Sequence, residues 1–192
     1  MDFDSNRPAI DITAIAEPVA GVAGMKQVNH PIGFSFPFFG TNYTQLVVSP
    51  RGTLSISSSL LANFATNASL PSTSLPASQG LIGPFWTAMN EVVGRSVIST
   101  AEVTVGTTRV RVFQWDHWTP TVGTREVSFQ AQLWENGDIV FVYLDVGDDP
   151  VSQGSSATVG IQEVKSTAPR ALEYSFKQPR LTQGQSILFQ PR

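Results

Sequence analysis

The sequence predicts an all-β protein, a single antiparallel β-sandwich of roughly ten to twelve strands. Three observations carry that prediction. Residues 127–143 hold two runs rich in β-branched and aromatic side chains that flank Asn136 and Gly137, the strongest short-range hairpin signal. Residues 28–36 keep strict period two, with Val28, His30, Ile32, Phe34 and Phe36 on one face. No window has the periodicity of an amphipathic helix, and no fixed-period repeat or linker divides the chain.

Within the hairpin two registers compete. A loop of Asn136 and Gly137 alone would set Glu135 opposite Asp138, where like charges repel. A loop of Glu135, Asn136 and Gly137, with Gly137 at positive φ, pairs Trp134 with Asp138 and avoids that clash. The second register is preferred. It gathers Phe129, Ala131, Leu133, Ile139, Phe141 and Tyr143 on one face, leaving Ser128, Gln130, Gln132 and Asp138 on the other. An aromatic face of this size needs a second sheet to cover it, hence a sandwich.

From the start of the chain, Ile10, Ile12 and Ala14 alternate with Asp11 and Thr13. Residues 9–15 therefore read as a short edge strand bracketed by Pro8 and Pro18, within an N-terminal extension of residues 1–24. Glu17 with Pro18, and then residues 21–24, break it. The sandwich domain is expected over residues 25–192. After the strand that ends at Pro37, Phe38 to Gly40 close a turn and Tyr43 to Val48 form the next strand. Ser49, Pro50, Arg51 and Gly52 suit a type I turn, and Thr53 to Ile56 return. Residues 57–80 are rich in Ser, Ala, Leu, Asn and Pro without a period, so they read either as a packed surface excursion or as a functional segment. Leu81 to Trp86 is apolar and returns to the core. A second hairpin turns at Gly106, with Arg109, Arg111 and Phe113 facing away from Val110 and Val112. Residues 119–124 are a loop, and residues 145–156 form a polar one. Residues 157–161, 172–176 and 186–189 are the last three strands.

Composition limits the function. At 192 residues the chain can bury a core without staples, and it contains no cysteine. Disulfides, thiolate metal sites and cysteine nucleophiles are thereby excluded, though the compartment is left open. A net charge of −3 with 14% charged residues and no basic block argues against nucleic acid. No apolar run approaches membrane-spanning length. The first residues lack a basic region followed by an apolar one, so no signal peptide is read in this chain. The few Lys and Glu, and the many Ser, Thr, Gly, Gln and Pro, resemble the composition of secreted β-domains.

Several stretches together resemble a known family. They are FSFPFFGTNY at residues 34–43, VVSPRGTLSI at 47–56, LIGPFW at 81–86, RVFQW at 111–115, FQAQLWENGDIVFVY at 129–143 and ATVGI at 157–161. Their order is similar to the nidogen-like extracellular β-domain, in the form common on secreted and surface proteins of bacteria. The likeness spans roughly residues 28–189, nearly the whole chain. It implies a β-sandwich secreted or at the cell surface, serving adhesion or matrix and surface assembly, with no catalytic activity. Many relatives carry acidic residues directly after Pro-Phe-Trp, where this chain has Thr87 and Ala88. Any cation function resting on those acids is not implied here.

Candidate sites follow from residue chemistry. His30 shares a face with Ile32 and Phe34, which suits a satisfied, partly buried imidazole. His117 adjoins Asp116, but neighbours on a strand point to opposite faces, so that pair does not make a catalytic dyad. No serine sits in a nucleophile turn; no enzyme and no resident cofactor are expected. Asp145, Asp148 and Asp149 offer hard oxygen ligands and are the candidate Ca²⁺ site, without calcium-loop spacing. Trp118 and Trp134 are the candidate exposed aromatics for stacking on a glycan. Ile10, Ile12 and Ile15 are the candidate assembly residues, since an N-terminal strand can pair within its own subunit or add to a neighbour. The expected function is a non-enzymatic extracellular module acting through protein contacts. The alternatives are a carbohydrate-binding module and a subunit that polymerises by N-terminal strand addition; pairing within the subunit is preferred.

Overall fold

The computed structural model describes residues 3, 5–19, 26–56, 66–76, 78–164 and 167–191. Residues 20–25, and residues 57–65 and 77 of the long excursion, lie outside the described residues. Two antiparallel sheets, of seven and six strands, face each other as a sandwich.

The first strands in the chain are β1 (Glu17–Pro18), β2 (Val28–Phe38), β3 (Thr41–Ser49), β4 (Thr53–Ile56) and β5 (Gly80–Trp86). Next come β6 (Met89–Glu91), β7 (Val97–Val105), β8 (Thr108–Pro120), β9 (Val127–Trp134) and β10 (Ile139–Asp145). A single π-helical turn, Val151–Ser155, precedes β11 (Thr158–Gln162), β12 (Ala171–Phe176) and β13 (Ser186–Phe189). The seven-stranded sheet runs β1-β7-β8-β9-β10-β13, with β6 paired to the far end of β8. The six-stranded sheet runs β12-β11-β5-β4-β3-β2.

The β9–β10 hairpin adopts the three-residue loop. Ile139 pairs with Leu133, and the Gly137 N–H donates to Trp134 O at 2.8 Å. Gly137 has φ +91°, and a Cβ there would lie 3.0 Å from Pro37 of β2, so both turn and packing call for glycine. The register places Phe129, Ala131, Leu133, Ile139, Phe141 and Tyr143 in the core between the sheets, all fully buried.

Rings and cross-sheet hydrogen bonds join the layers. Phe129 stacks on Phe85 of the opposite sheet, with centroids 5.5 Å apart, and on Trp115 at 5.2 Å. The Trp115 indole N–H donates to Ser49 O at 3.0 Å, and the Tyr143 hydroxyl donates to Pro84 O at 2.7 Å. These two polar tips on buried aromatics thus find backbone carbonyls across the sandwich, which removes the cost of burying them bare. Burial pushes the Tyr143 phenol well above its ordinary pKa.

One strand expected from the sequence is absent. Residues 9–15 alternate but are not a strand: the Ile15 and Ala16 N–H groups both donate to Ile12 O, closing a turn. The turn is reinforced by Asp11, whose carboxylate accepts the Thr13 N–H at 2.9 Å. The edge pairing falls instead on β1, where Glu17 and Pro18 oppose Thr100 and Ser99. Short β6 is a strand that the sequence pattern does not announce.

Phe141 is enclosed between Phe189 and the opposite sheet, so Phe141→Ala is expected to lower stability by about 3–5 kcal/mol in urea denaturation. Gly137→Ala imposes backbone strain of about 1–3 kcal/mol and a contact with Pro37, and is expected to lower the melting temperature. An unchanged midpoint for either variant would contradict this packing.

Candidate functional site

The outer face of the seven-stranded sheet is the most elaborated surface of the protein. Gln130 and Gln132 of β9 point outward, as period two demands, yet they are 1% and 0% exposed. The N-terminal segment lies across them as a strap. Gln130 pairs with one residue of it at two points: its Oε1 accepts the Ile10 N–H at 3.2 Å, and its Nε2 donates to Ile10 O at 2.8 Å. The Gln132 amide donates to Pro8 O at 3.0 Å. Two side-chain amides therefore do for the strap what a neighbouring strand does for a sheet edge.

Apolar and ionic anchors flank the amides. Ile12 is 2% exposed and packs with Ala101, Val110 and Val112, the outward valines of the second hairpin. Arg7 reaches Asp138 at 2.5 Å, and its guanidinium lies 4.3 Å from the centroid of the Trp134 ring. Phe3 packs edge-on to Tyr174 at 5.7 Å and against Phe189 at 5.2 Å. At the two edges the strap joins the backbone ladder. The Leu188 N–H donates to Phe3 O and the Ser5 N–H to Ser186 O, while the Val19 N–H donates to Ile98 O. The strap thus covers the open sides of both β13 and β7, where unpaired backbone would otherwise invite strand addition.

The six-stranded sheet repeats the device. Gln162 of β11 accepts the Ser72 N–H at 2.6 Å and donates to Ser72 O at 2.9 Å. Thr158 donates to Ala68 O, and Glu173 accepts the Leu70 N–H. Leu70 and Leu75 are thereby held over Leu81 and Trp86. The described part of the excursion is a packed cover for that face.

The other residues singled out from the sequence are scattered. Trp118, expected to be exposed, is 2% exposed, and its indole N–H donates to Val97 O. Its strand continues to Pro120, which carries the ring inward rather than into a loop. Trp134 is half-buried beneath Arg7. The two do not form an exposed aromatic platform. Asp149 caps the π-helical turn: one carboxylate oxygen accepts the Val151 and Ser152 N–H groups, and the other accepts the Ser152 hydroxyl. Those hydrogen bonds hold its carboxyl below the usual range, the Ser152 hydroxyl having the largest effect. Asp148 is exposed opposite Arg125, and Asp145 lines a shallow recess with Thr124, Arg125, Glu126 and Gly147. Among the described residues no three acidic or histidine side chains converge as a metal site.

His30 packs edge-on to Phe113, with Nδ1 2.7 Å from Pro31 O, and burial lowers its pKa. His117 sits at a bulge with φ +58° and its ring faces Glu126 at 2.9 Å, whereas Asp116 accepts from Gln114. Of the assembly candidates, Ile10 and Ile12 lie in the strap, while Ile15 is 54% exposed at its turn. The residues that sequence reasoning missed are Arg7, Gln130, Gln132, Asp138 and Gln162. The alternating glutamines were visible as an outer face, but not the segment that covers them.

Among the described residues no helix is long and apolar enough to cross a membrane. A family model described as NIDO related matches residues 11–191. No curated protein and no solved structure matches the chain.

Gln130→Ala leaves both polar groups of Ile10 without their partner, which costs about 1–3 kcal/mol. Faster hydrogen exchange at the Ile10 amide is expected, with the β10 amides unchanged; unchanged exchange at Ile10 would remove Gln130 from this role. Asp138 generates a pH prediction. Burial pushes its carboxyl up, but hydrogen bonds from Gln190, Arg7 and Asn136 outweigh that and hold it below the ordinary value of 3.8. A lowered folded-state pKa contributes stability that is present above the unfolded value and lost as pH falls through the folded one. The fall in melting temperature between about pH 6 and about pH 3 should therefore be smaller in Asp138→Asn than in the parent chain. Equal falls would place the acid sensitivity elsewhere.

Proposed function

The chain belongs to the NIDO-related family, and from that membership we propose that it is a non-enzymatic extracellular module acting in adhesion or surface assembly through protein contacts. One observation carries this reading. The outer face of the seven-stranded sheet is built to hold an extended peptide, reading both polar groups of Ile10, the carbonyl of Pro8, the charge of Arg7 and the side chain of Ile12. Recognition by paired main-chain hydrogen bonds with side-chain pockets is how sheets bind protein segments generally. Side chains with chemical potential are committed to structure: Asp149 to its cap, Asp138 to Arg7, Asn136 and Gln190, and His30 to its neighbouring carbonyl. The family is consistent with an extracellular setting, and a cysteine-free sandwich of this size can be stable there without disulfides.

The labelled full chain, applied to parallel arrays of extracellular proteins and of glycans, tests the reading. Saturable binding to protein is expected, unaltered by EDTA, with no saturable glycan signal. Glycan binding, or no protein binding on any feature, would overturn it. A chelator-sensitive signal would return attention to Asp145, Asp148 and Asp149 as a Ca²⁺ site.

A further inference from the structure

We propose that the outer face of the seven-stranded sheet is an exchangeable docking groove, and that Phe3 and residues 5–16 of a second copy of this chain seat in it as the chain's own residues do. The proposal rests on the protein-contact reading above and names the partner.

The strap and its groove meet only through side chains and edge backbone. Asp138, Gln130, Gln132 and the slot for Ile12 belong to the sandwich body, and the exchanging segment joins that body at β1, which stays paired to β7. None of these contacts requires the two parts to share a chain. The match is nevertheless specific, because register is pinned at separated points. Phe3 packs at Phe189, Arg7 at Asp138, and Ile10 at Gln130. A slip of one residue would move Arg7 off a carboxylate whose side chain is only 7% exposed, and would unpair Gln130. Few unrelated segments carry this spacing, whereas every copy of the chain does.

An unfilled groove is unfavourable. It would expose the apolar slot and strip backbone partners from β13. Whichever copy of the segment is at higher local concentration fills it. For an isolated chain that is its own; for copies held side by side on a surface, a neighbour's segment competes at effective concentrations on the order of millimolar. Reciprocal exchange closes a dimer, and sequential exchange extends a row.

The chain's own chemistry permits a direct test. In Arg7→Lys, a carbodiimide can join the introduced side-chain amine to the Asp138 carboxylate as an amide, with loss of water to the reagent. Light and heavy-isotope chains are mixed, unfolded and refolded together at high concentration, cross-linked and digested. Cross-linked peptide pairs with one light and one heavy member are expected, rising with concentration towards about half of all pairs at full exchange. Only light–light and heavy–heavy pairs would overturn the proposal. A second pair of variants guards against poor cross-linking. In Arg7→Glu and in Asp138→Arg the strap is repelled by its own groove, yet each strap suits the groove of the other variant. Refolded together they should elute at twice the monomer mass, while the Arg7→Glu, Asp138→Arg double variant remains monomeric; monomers throughout would overturn exchange. A labelled peptide of residues 1–16 then separates the two readings. If it binds Arg7→Glu chains in the absence of exchange, the groove still recognises protein and only the second copy as partner is lost. Failure of both removes the groove from the function.

Discussion

The left-handed backbone at Gly137 sets the phase of the whole sandwich. Side chains alternate along a strand, so one residue more or less in this turn would invert every position of β10 relative to β9. With Gly137 at φ +91° the aromatic set faces inward, where Phe129 stacks between Phe85 and Trp115. The same phase turns Gln130 and Gln132 outward. The turn also tucks against Pro37 of the opposite sheet, tying the phase of one layer to the position of the other. Core, cross-sheet hydrogen bonds and outer glutamines all descend from that single geometry.

Glutamine on the outer faces solves a problem that sandwiches share. An irregular segment laid over a sheet brings peptide groups out of water, and they need partners. A side-chain amide offers a donor and an acceptor side by side, matching the N–H and C=O of one extended residue. Gln130 with Ile10 and Gln162 with Ser72 are the same device on opposite faces. Such covers rest on a few hydrogen bonds and small apolar clusters, not on a continuous ladder.

The ionic groups follow a similar division. Arg109 and Arg111 of β8 reach across the sandwich to the carbonyls of Gly33 and Ile32, where β2 breaks its pairing with β3, and they pair with Glu135 and Glu102. They stitch the rim of the two layers and blunt the β2 edge. The acids of the loop after β10 do local work, with Asp149 closing a turn and Asp148 left in solvent. The backbone around Asp149 directs one carboxylate oxygen to two N–H groups, and the Ser152 hydroxyl takes the other.

What the sequence by itself determined was whatever depends on neighbours along the chain. The β class, the hairpin register and the inward aromatic face are written in alternation and turn chemistry, which are local, and the family resemblance rests on six short stretches in order. The partly buried, backbone-satisfied His30 was legible for the same reason. Tertiary structure alone decided what depends on distant parts of the chain meeting. Alternation at residues 9–15 looked like a strand, but with Gln130 and Gln132 supplying the hydrogen bonds the segment needs no strand partner, and it turns at Ile12. Trp118 looked like a loop residue until β8 ran on to Pro120 and buried it. Arg7 and Asp138 lie more than half the chain apart, and nothing in a periodic pattern pairs them. Periodicity says which face a side chain takes, whereas what covers that face is a long-range fact that only the folded chain contains.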